Sequence, residues 1–192
     1  ALLGENIDKK NPIMSMMCWN ANPVTQAAES EKIIEGLKRE DLFMVSAEHF
    51  ISDTASYADI LLPATMGAEH EDIILSWGHL YLTYNEKSIN PPGEALPNYE
   101  IFRRLAQSMG YNDEQFLWSD TKCLENYIDW NSEACKGINL DYLKKNGYAR
   151  LNVGTKDNRA PHKNGNFPTS SGKCEFILKD VSNFVAGPFR QM

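Results

Sequence analysis

The run Ile13-Met14-Ser15-Met16-Met17-Cys18-Trp19, followed at once by Asn20-Ala21-Asn22-Pro23, decides how the rest of the chain is read. It is short, almost wholly apolar and bounded by breakers, with Asn11-Pro12 before it and the Asn/Pro turn after it. Such a run is expected to form a strand buried on both faces, as parallel strands are. From about Thr25 to Arg39 the apolar positions Ala27, Ala28, Ile33, Ile34 and Leu37 share one broad face, which predicts a helix. Leu42-Phe43-Met44-Val45-Ser46 reads as the next strand. Ser52-Asp53-Thr54 offers caps for a short helix through Tyr57, and Asp59-Ile60-Leu61-Leu62-Pro63 reads as a third strand stopped by proline. Strand, helix, strand, short helix, strand is the order of an α/β fold: a Rossmann-like, doubly wound, mainly parallel sheet with flanking helices.

Further along, Leu80-Tyr81-Leu82-Thr83-Tyr84 is a weaker strand candidate, and Asn90-Pro91-Pro92-Gly93-Glu94 is a turn. Asn98 is expected to cap a helix on which Ile101, Phe102, Leu105, Ala106 and Met109 share a face, with Gly110 at its end. Helices are also expected at Thr121 to Trp130 and at Leu140 to Asn146, the second stopped by Gly147. From Leu151 onward polar residues, glycine and proline dominate, which predicts an extended C-terminal arm with one strand, Cys174-Glu175-Phe176-Ile177-Leu178. The expected division is an α/β domain over 1–150 and the arm over 151–192.

Composition narrows the classes. The 192 residues are 42% hydrophobic and 23% charged, as in a soluble globular domain. The net charge is -7 with no basic stripe, so nucleic acid is not an expected partner. No apolar run approaches the ~20 residues that span a bilayer, so no membrane contact is expected from this segment. Cys18, Cys123, Cys135 and Cys174 form no C-x-x-C pair, which leaves buried thiols as the expectation rather than a zinc or iron–sulfur site. The start Ala1-Leu2-Leu3-Gly4-Glu5 lacks the sections of a signal peptide and an initiator Met, and is expected to belong to a piece of a longer chain.

In an open α/β sheet, ligands bind outside the carboxyl ends of the strands. The first such end carries Asn20, Ala21, Asn22 and Pro23. It has no G-x-G-x-x-G, and a dinucleotide pyrophosphate needs glycine there for close approach, so an ordinary NAD site is disfavoured. Asparagine offers both a donor and an acceptor, which suits a purine edge. The same residues also serve simply as turn formers. Glu48 lies 28 residues after Asn20 at the second strand's end, either as an acceptor for ribose hydroxyls or as a solvated loop carboxylate. Glu69-His70-Glu71-Asp72 does not match a helical zinc motif and reads as a solvated loop, so no metal is expected there. The four histidines, His49, His70, His79 and His162, are too scattered to propose a Ser/Cys–His–acid set.

Several blocks in fixed order go further. They are Asn22-Pro23 after an apolar strand; Phe50-Ile51-Ser52-Asp53-Thr54-Ala55 running into Ala58-Asp59-Ile60-Leu61-Leu62-Pro63-Ala64; Glu69-His70-Glu71-Asp72; Pro92-Gly93-Glu94-Ala95 with Asn98-Tyr99-Glu100-Ile101-Phe102; and Phe167-Pro168-Thr169-Ser170-Ser171-Gly172-Lys173. Together they resemble the large subunits of the molybdopterin oxidoreductases of the dimethyl sulfoxide reductase family. The resemblance implies an internal piece corresponding to the third, Rossmann-like domain, which holds one guanosine end of the cofactor. It implies that the turn Asn20, Ala21, Asn22 and Pro23 meets the nucleotide together with Gln26, and that Ala47 and Glu48 lie around guanine and ribose. Asn98 matches a polar position that is often Asp in the family.

The family's molybdenum ligand, its cluster cysteines and its closing β-barrel domain are not among these residues. The resemblance therefore implies an inactive chain with no cofactor bound to it alone. In the full-length parent it implies molybdopterin guanine dinucleotide with molybdenum, and chemistry of oxygen-atom transfer or dehydrogenation. The implied partners are the remaining domains of the same large subunit and an electron-transfer subunit. The alternative is a cofactor-free structural domain, as in the large iron–sulfur subunit of respiratory NADH dehydrogenase. Polar groups kept together at Asn20 to Pro23, Glu48 and Asn98 favour a retained site over that scaffold.

Overall fold

The computed structural model describes residues 12–155 and 162–176. The chain divides into two compact units, Ala1–Leu151 and Asn152–Met192. In the first unit, β1 (Ser15–Trp19), β2 (Phe43–Glu48) and β3 (Ile60–Pro63) form a parallel sheet in the order β1-β2-β3. Alternation along the strands divides the side chains between two helical layers. Met16, Cys18 and Met44 pack with Val24 of α1 (Pro23–Gln26) and with Ile33, Ile34 and Leu37 of α2 (Ser30–Leu37). Met17, Ala47 and Leu62 point the other way, toward Ile101 of α3 (Asn98–Ser108). Helices therefore flank both faces, and the α/β class expected from the strand order is the one observed.

The helix expected over Thr25 to Arg39 is two helices. Glu29 sits between them at φ 58 in the left-handed region. The break follows from burial. Val24 and Ile33 lie in the same core, yet on one straight helix residues nine apart point about 180° away from each other. Asn98 also differs from expectation, being the first residue of α3 while Pro97 holds the cap position without a side-chain bond.

A second, antiparallel sheet joins β4 (Asp72–Leu75), β5 (Tyr81–Asn85) and β6 (Tyr148–Arg150). Only β5 has a counterpart among the strands expected from sequence. Its inner face, Ile73, Leu82 and Ala149, packs on Leu124 of α4 (Asp120–Tyr127) and on Leu140 and Leu143 of α5 (Leu140–Asn146). Gly147, at φ 80, ends α5 as its position suggests.

Glu71 anchors this half, so the solvated loop expected over Glu69 to Asp72 is corrected. The Glu71 carboxylate accepts from Tyr84 Oη at 2.7 Å and from Thr121 Oγ1 at 3.3 Å, and it pairs with Lys144 Nζ at 3.3 Å. Burial pushes the carboxyl pKa up, but these donors outweigh it and hold the group below the usual carboxylate range. Burial and the Glu71 charge together push the Tyr84 phenol up to about 12.

In the second unit, His162 Nδ1 lies 3.0 Å from the Asn166 carbonyl, and the Ser171 hydroxyl bonds the Glu175 carboxylate. Residues 174–176 form no strand, and Ile177 and Leu178 of the strand expected there lie outside the described residues.

Leu143 is fully buried at the centre of the second core. Leu143→Ala is expected to lower the unfolding free energy by about 2–5 kcal/mol, the cost of lost burial plus a cavity. Met109→Ala, on a largely exposed residue, is expected to stay within about 0.5 kcal/mol. Urea denaturation of the two variants measures the difference.

Candidate nucleotide site at the carboxyl edge

The carboxyl ends of the three strands are tied into one edge. Asn20 N reaches the Ala47 carbonyl at 3.5 Å, and Ala64 N donates to the Glu48 carbonyl at 3.2 Å. Leu96 then acts as a one-residue fourth strand: it bridges Ala64 in parallel, donates to the Pro63 carbonyl and accepts from Thr65 N, both at 3.1 Å. Because α3 begins two residues later, its N-terminus is delivered to the same edge. The order across the edge is Asn20 to Pro23, then Ala47 and Glu48, then Ala64 and Thr65, then Asn98. Seven of the eight residues proposed from sequence thereby lie along this carboxyl edge, and the eighth, Gln26, is tied to it from the end of α1 by its bond to Asn22 N.

Their side chains are not equally available. Asn22 Oδ1 accepts from Thr54 Oγ1 at 2.7 Å and from Thr54 N at 3.2 Å, while Thr54 Oγ1 accepts from Val24 N at 3.0 Å. Gln26 Oε1 accepts from Asn22 N at 3.0 Å. Both carbonyls thus serve the turn itself, and only the amide NH2 groups of these residues remain to meet a ligand. Asn20 adopts φ 51, a left-handed conformation that asparagine tolerates better than most residues. Pro23 opens α1, where its missing N–H costs nothing. Ala47 is buried against Ala64 and Ile101 and offers a ligand only its backbone.

Glu48 Oε1 accepts from His49 N at 2.9 Å. The carboxylate lies near Cys18, whose thiol pKa is pushed up first by burial and then by the Glu48 charge. Asn98 Oδ1 is buried and has no hydrogen-bond partner among the described residues. One turn along the same helical stripe, Phe102 meets Trp19 at the end of β1 edge to face, with centroids 5.1 Å apart. Asn98 therefore begins the stripe that looks back across the edge toward β1.

Sequence reasoning missed two buried hydroxyls. Thr54 was legible only as a helix cap, yet it is fully buried and holds the first turn in place. Thr65 Oγ1 lies 2.9 Å from Nδ1 of His70, which is largely buried rather than solvated as expected. Thr65 is 2% exposed, so its hydroxyl is turned into the fold and not toward solvent. Among the described residues no group of three His, Cys, Asp or Glu side chains is placed to hold a metal. The edge offers hydrogen-bonding groups for a polar heterocycle and its hydroxyls, a set suited to binding.

Comparison with known proteins agrees with this reading of the fold. The model of the family described as molybdopterin oxidoreductase matches residues 4–108. The probable oxidoreductase YoaE of Bacillus subtilis is 36% identical over 171 residues, covering 88% of this chain and 24% of that protein. The F420-dependent formate dehydrogenase subunit alpha of Methanocaldococcus jannaschii is 30% identical over 144 residues, covering 74% of this chain and 21% of that protein. Acetylene hydratase from Pelobacter acetylenicus has a similar fold, with a TM-score of 0.69 at 23% identity over 96% of this chain and 24% of that one. The chain spans about a quarter of the length of these relatives.

Thr54→Val is expected to cost about 1–3 kcal/mol of stability, because it strands Val24 N in a buried setting and takes from Asn22 Oδ1 the shorter of its two hydrogen bonds. Urea unfolding checks the loss, and Ser52→Ala, which removes a hydroxyl bonded only to Ala55 N among the described residues, is the milder comparison.

Proposed function

The chain belongs to the molybdopterin oxidoreductase family, and we propose that it forms the wall that takes one guanosine end of a molybdopterin guanine dinucleotide within a much longer large subunit. The orphaned Asn98 Oδ1 carries this reading. A buried acceptor without a donor costs about 1–3 kcal/mol. Guanine brings an exocyclic amino donor that would satisfy it. Glu48 stands at the neighbouring strand end as an acceptor for ribose hydroxyls, and the first N–H groups of α3 have no side-chain cap. The residues present fit the nucleotide end of the group.

When bound, the molybdenum–pterin group supplies two-electron chemistry, oxygen-atom transfer or dehydrogenation. This chain's residues bind and orient its tail, and the isolated chain has no turnover. We assign residues 1–150 to the nucleotide wall and 151–192 to an arm leading toward a C-terminal domain. The remaining domains of the large subunit enclose the rest of the cofactor, with an electron-transfer subunit as partner. The fourfold greater length of the relatives, and the word subunit in the formate dehydrogenase name, support that assembly. A second reading has one observation in its favour: Asn22 and Gln26 spend their carbonyls internally, as a cofactor-free structural domain would.

The two readings separate on substitution at Asn98 and Glu48 in the full-length subunit. Asn98→Ala removes an unpaired acceptor, so the cofactor-free form is expected to gain stability while guanine nucleotide and molybdenum per polypeptide fall. Glu48→Ala removes a charge-assisted bond worth about 1.5–3 kcal/mol, a tenfold or greater weakening at this end of the cofactor. Turnover per molybdenum stays nearly unchanged, because loading and not chemistry is affected. Molybdenum and GMP content unchanged from wild type in both variants would show that the nucleotide does not lie at this edge, and a wild-type subunit without either would favour the structural reading.

A further inference from the structure

We propose that His70 is a positioning residue for the carboxyl edge, holding Asn98 in place through Thr65 and Leu96. The inference rests on the nucleotide reading above. His70 Nδ1 lies 2.9 Å from Thr65 Oγ1, and its Nε2 lies 4.0 Å from Asp72 Oδ2. The Asp72 carboxylate favours the proton on Nε2, which leaves Nδ1 to accept from the Thr65 hydroxyl. Thr65 is buried and bonds in two directions, to His70 through its side chain and to the Leu96 carbonyl through its N–H. Asn98 follows two positions after Leu96, and the one residue between them is Pro97, whose ring fixes φ at -58. A displacement of Leu96 is therefore passed on to Asn98 rather than absorbed.

The other end of this chain of contacts is firm. The His70 carbonyl accepts from Asn85 Nδ2 at 2.9 Å, which ties the residue to β5 of the second sheet. His70, Leu96, Pro97 and Tyr99 line one cavity of about 460 Å³, so the histidine and the start of α3 face the same space. The imidazole thus joins the antiparallel sheet to the last turn before the nucleotide edge, and its removal would leave a buried hydroxyl without its acceptor at the point where Leu96 is held.

The test uses the full-length subunit and measures GMP released per polypeptide after extended dialysis, with thermal midpoints recorded alongside. His70→Ala is expected to lower retained GMP by about tenfold. His70→Asn, whose Oδ1 can stand where Nδ1 does and accept from Thr65, is expected to restore most of it. In an Asn98→Ala background, His70→Ala is expected to have no further effect, since the residue it positions is gone. Equal losses in both backgrounds, or no recovery in His70→Asn at an unchanged thermal midpoint, overturn the proposal and leave the nucleotide reading standing. No loss in Asn98→Ala alone overturns both. If His70→Ala does not fold, His70→Gln takes its place: its carbonyl falls at the Nε2 end, and it is expected to lose GMP where His70→Asn keeps it.

Discussion

The hydroxyl of Thr54 is the contact on which the parallel half of the molecule depends. It donates to Asn22 Oδ1 at 2.7 Å and accepts from Val24 N at 3.0 Å, so one buried atom fixes both the turn after β1 and the first turn of α1. With the turn held there, Val24 enters the same core as Cys18 and Met44. The chain must then leave α1 after one turn, because continuing straight would carry Ile33 and Ile34 away from that core. The left-handed Glu29 follows from this demand. So does the position of Asn20 and Asn22, which sit against the ends of β1 and β2 because the segment carrying Thr54 lies between β2 and β3. A hydroxyl lost at this point would loosen the strand–helix junction at the carboxyl edge, not merely one hydrogen bond.

How much of this the sequence reveals depends on the range of the interaction. The three parallel strands are legible to within two residues, because each is a short apolar run between breakers and the runs are close together. The helix over Thr25 to Arg39 reads as one because Ala27 and Ala28 extend the apolar stripe, although Val24 makes that stripe impossible once both ends share a core. The antiparallel sheet is largely hidden. Its β4 is four residues beside an acidic run, and its β6 is three residues that pair with β5 across a gap of more than sixty. Neither carries enough alternation to announce itself.

The edge residues were legible by type and place, since strand order alone says which residues follow which strand. Their commitments were not. Asn22 and Thr54 are 32 positions apart, and only the folded chain shows that the Asn22 carbonyl is already spent. The same holds for His70, whose partner Thr65 is near in sequence but is buried in the fold, where Leu96 bonds its N–H beyond the end of β3. Residue identity proposes a hydrogen-bonding group, and the fold decides which groups remain to be satisfied.

That distinction gives the edge its energetic character. Most of its polar atoms are paired within the chain and cannot distinguish a bound from an unbound state, so they contribute rigidity without affinity. Asn98 Oδ1 differs among the described residues in being a buried acceptor left unpaired, whose cost is carried by the unliganded form and relieved by a donor. α3 supports it unevenly: Ile101 is buried close to the edge, while Leu105 and Met109 stand exposed farther along beside an apolar cavity of about 810 Å³. Packing is therefore concentrated at the end of the helix that carries the unpaired group. A ligand that binds only the folded state adds to stability in proportion to its occupancy. Donors arriving at Asn98 would thus be felt as tighter binding and as a firmer α3 together, since the same few contacts at the start of that helix serve both.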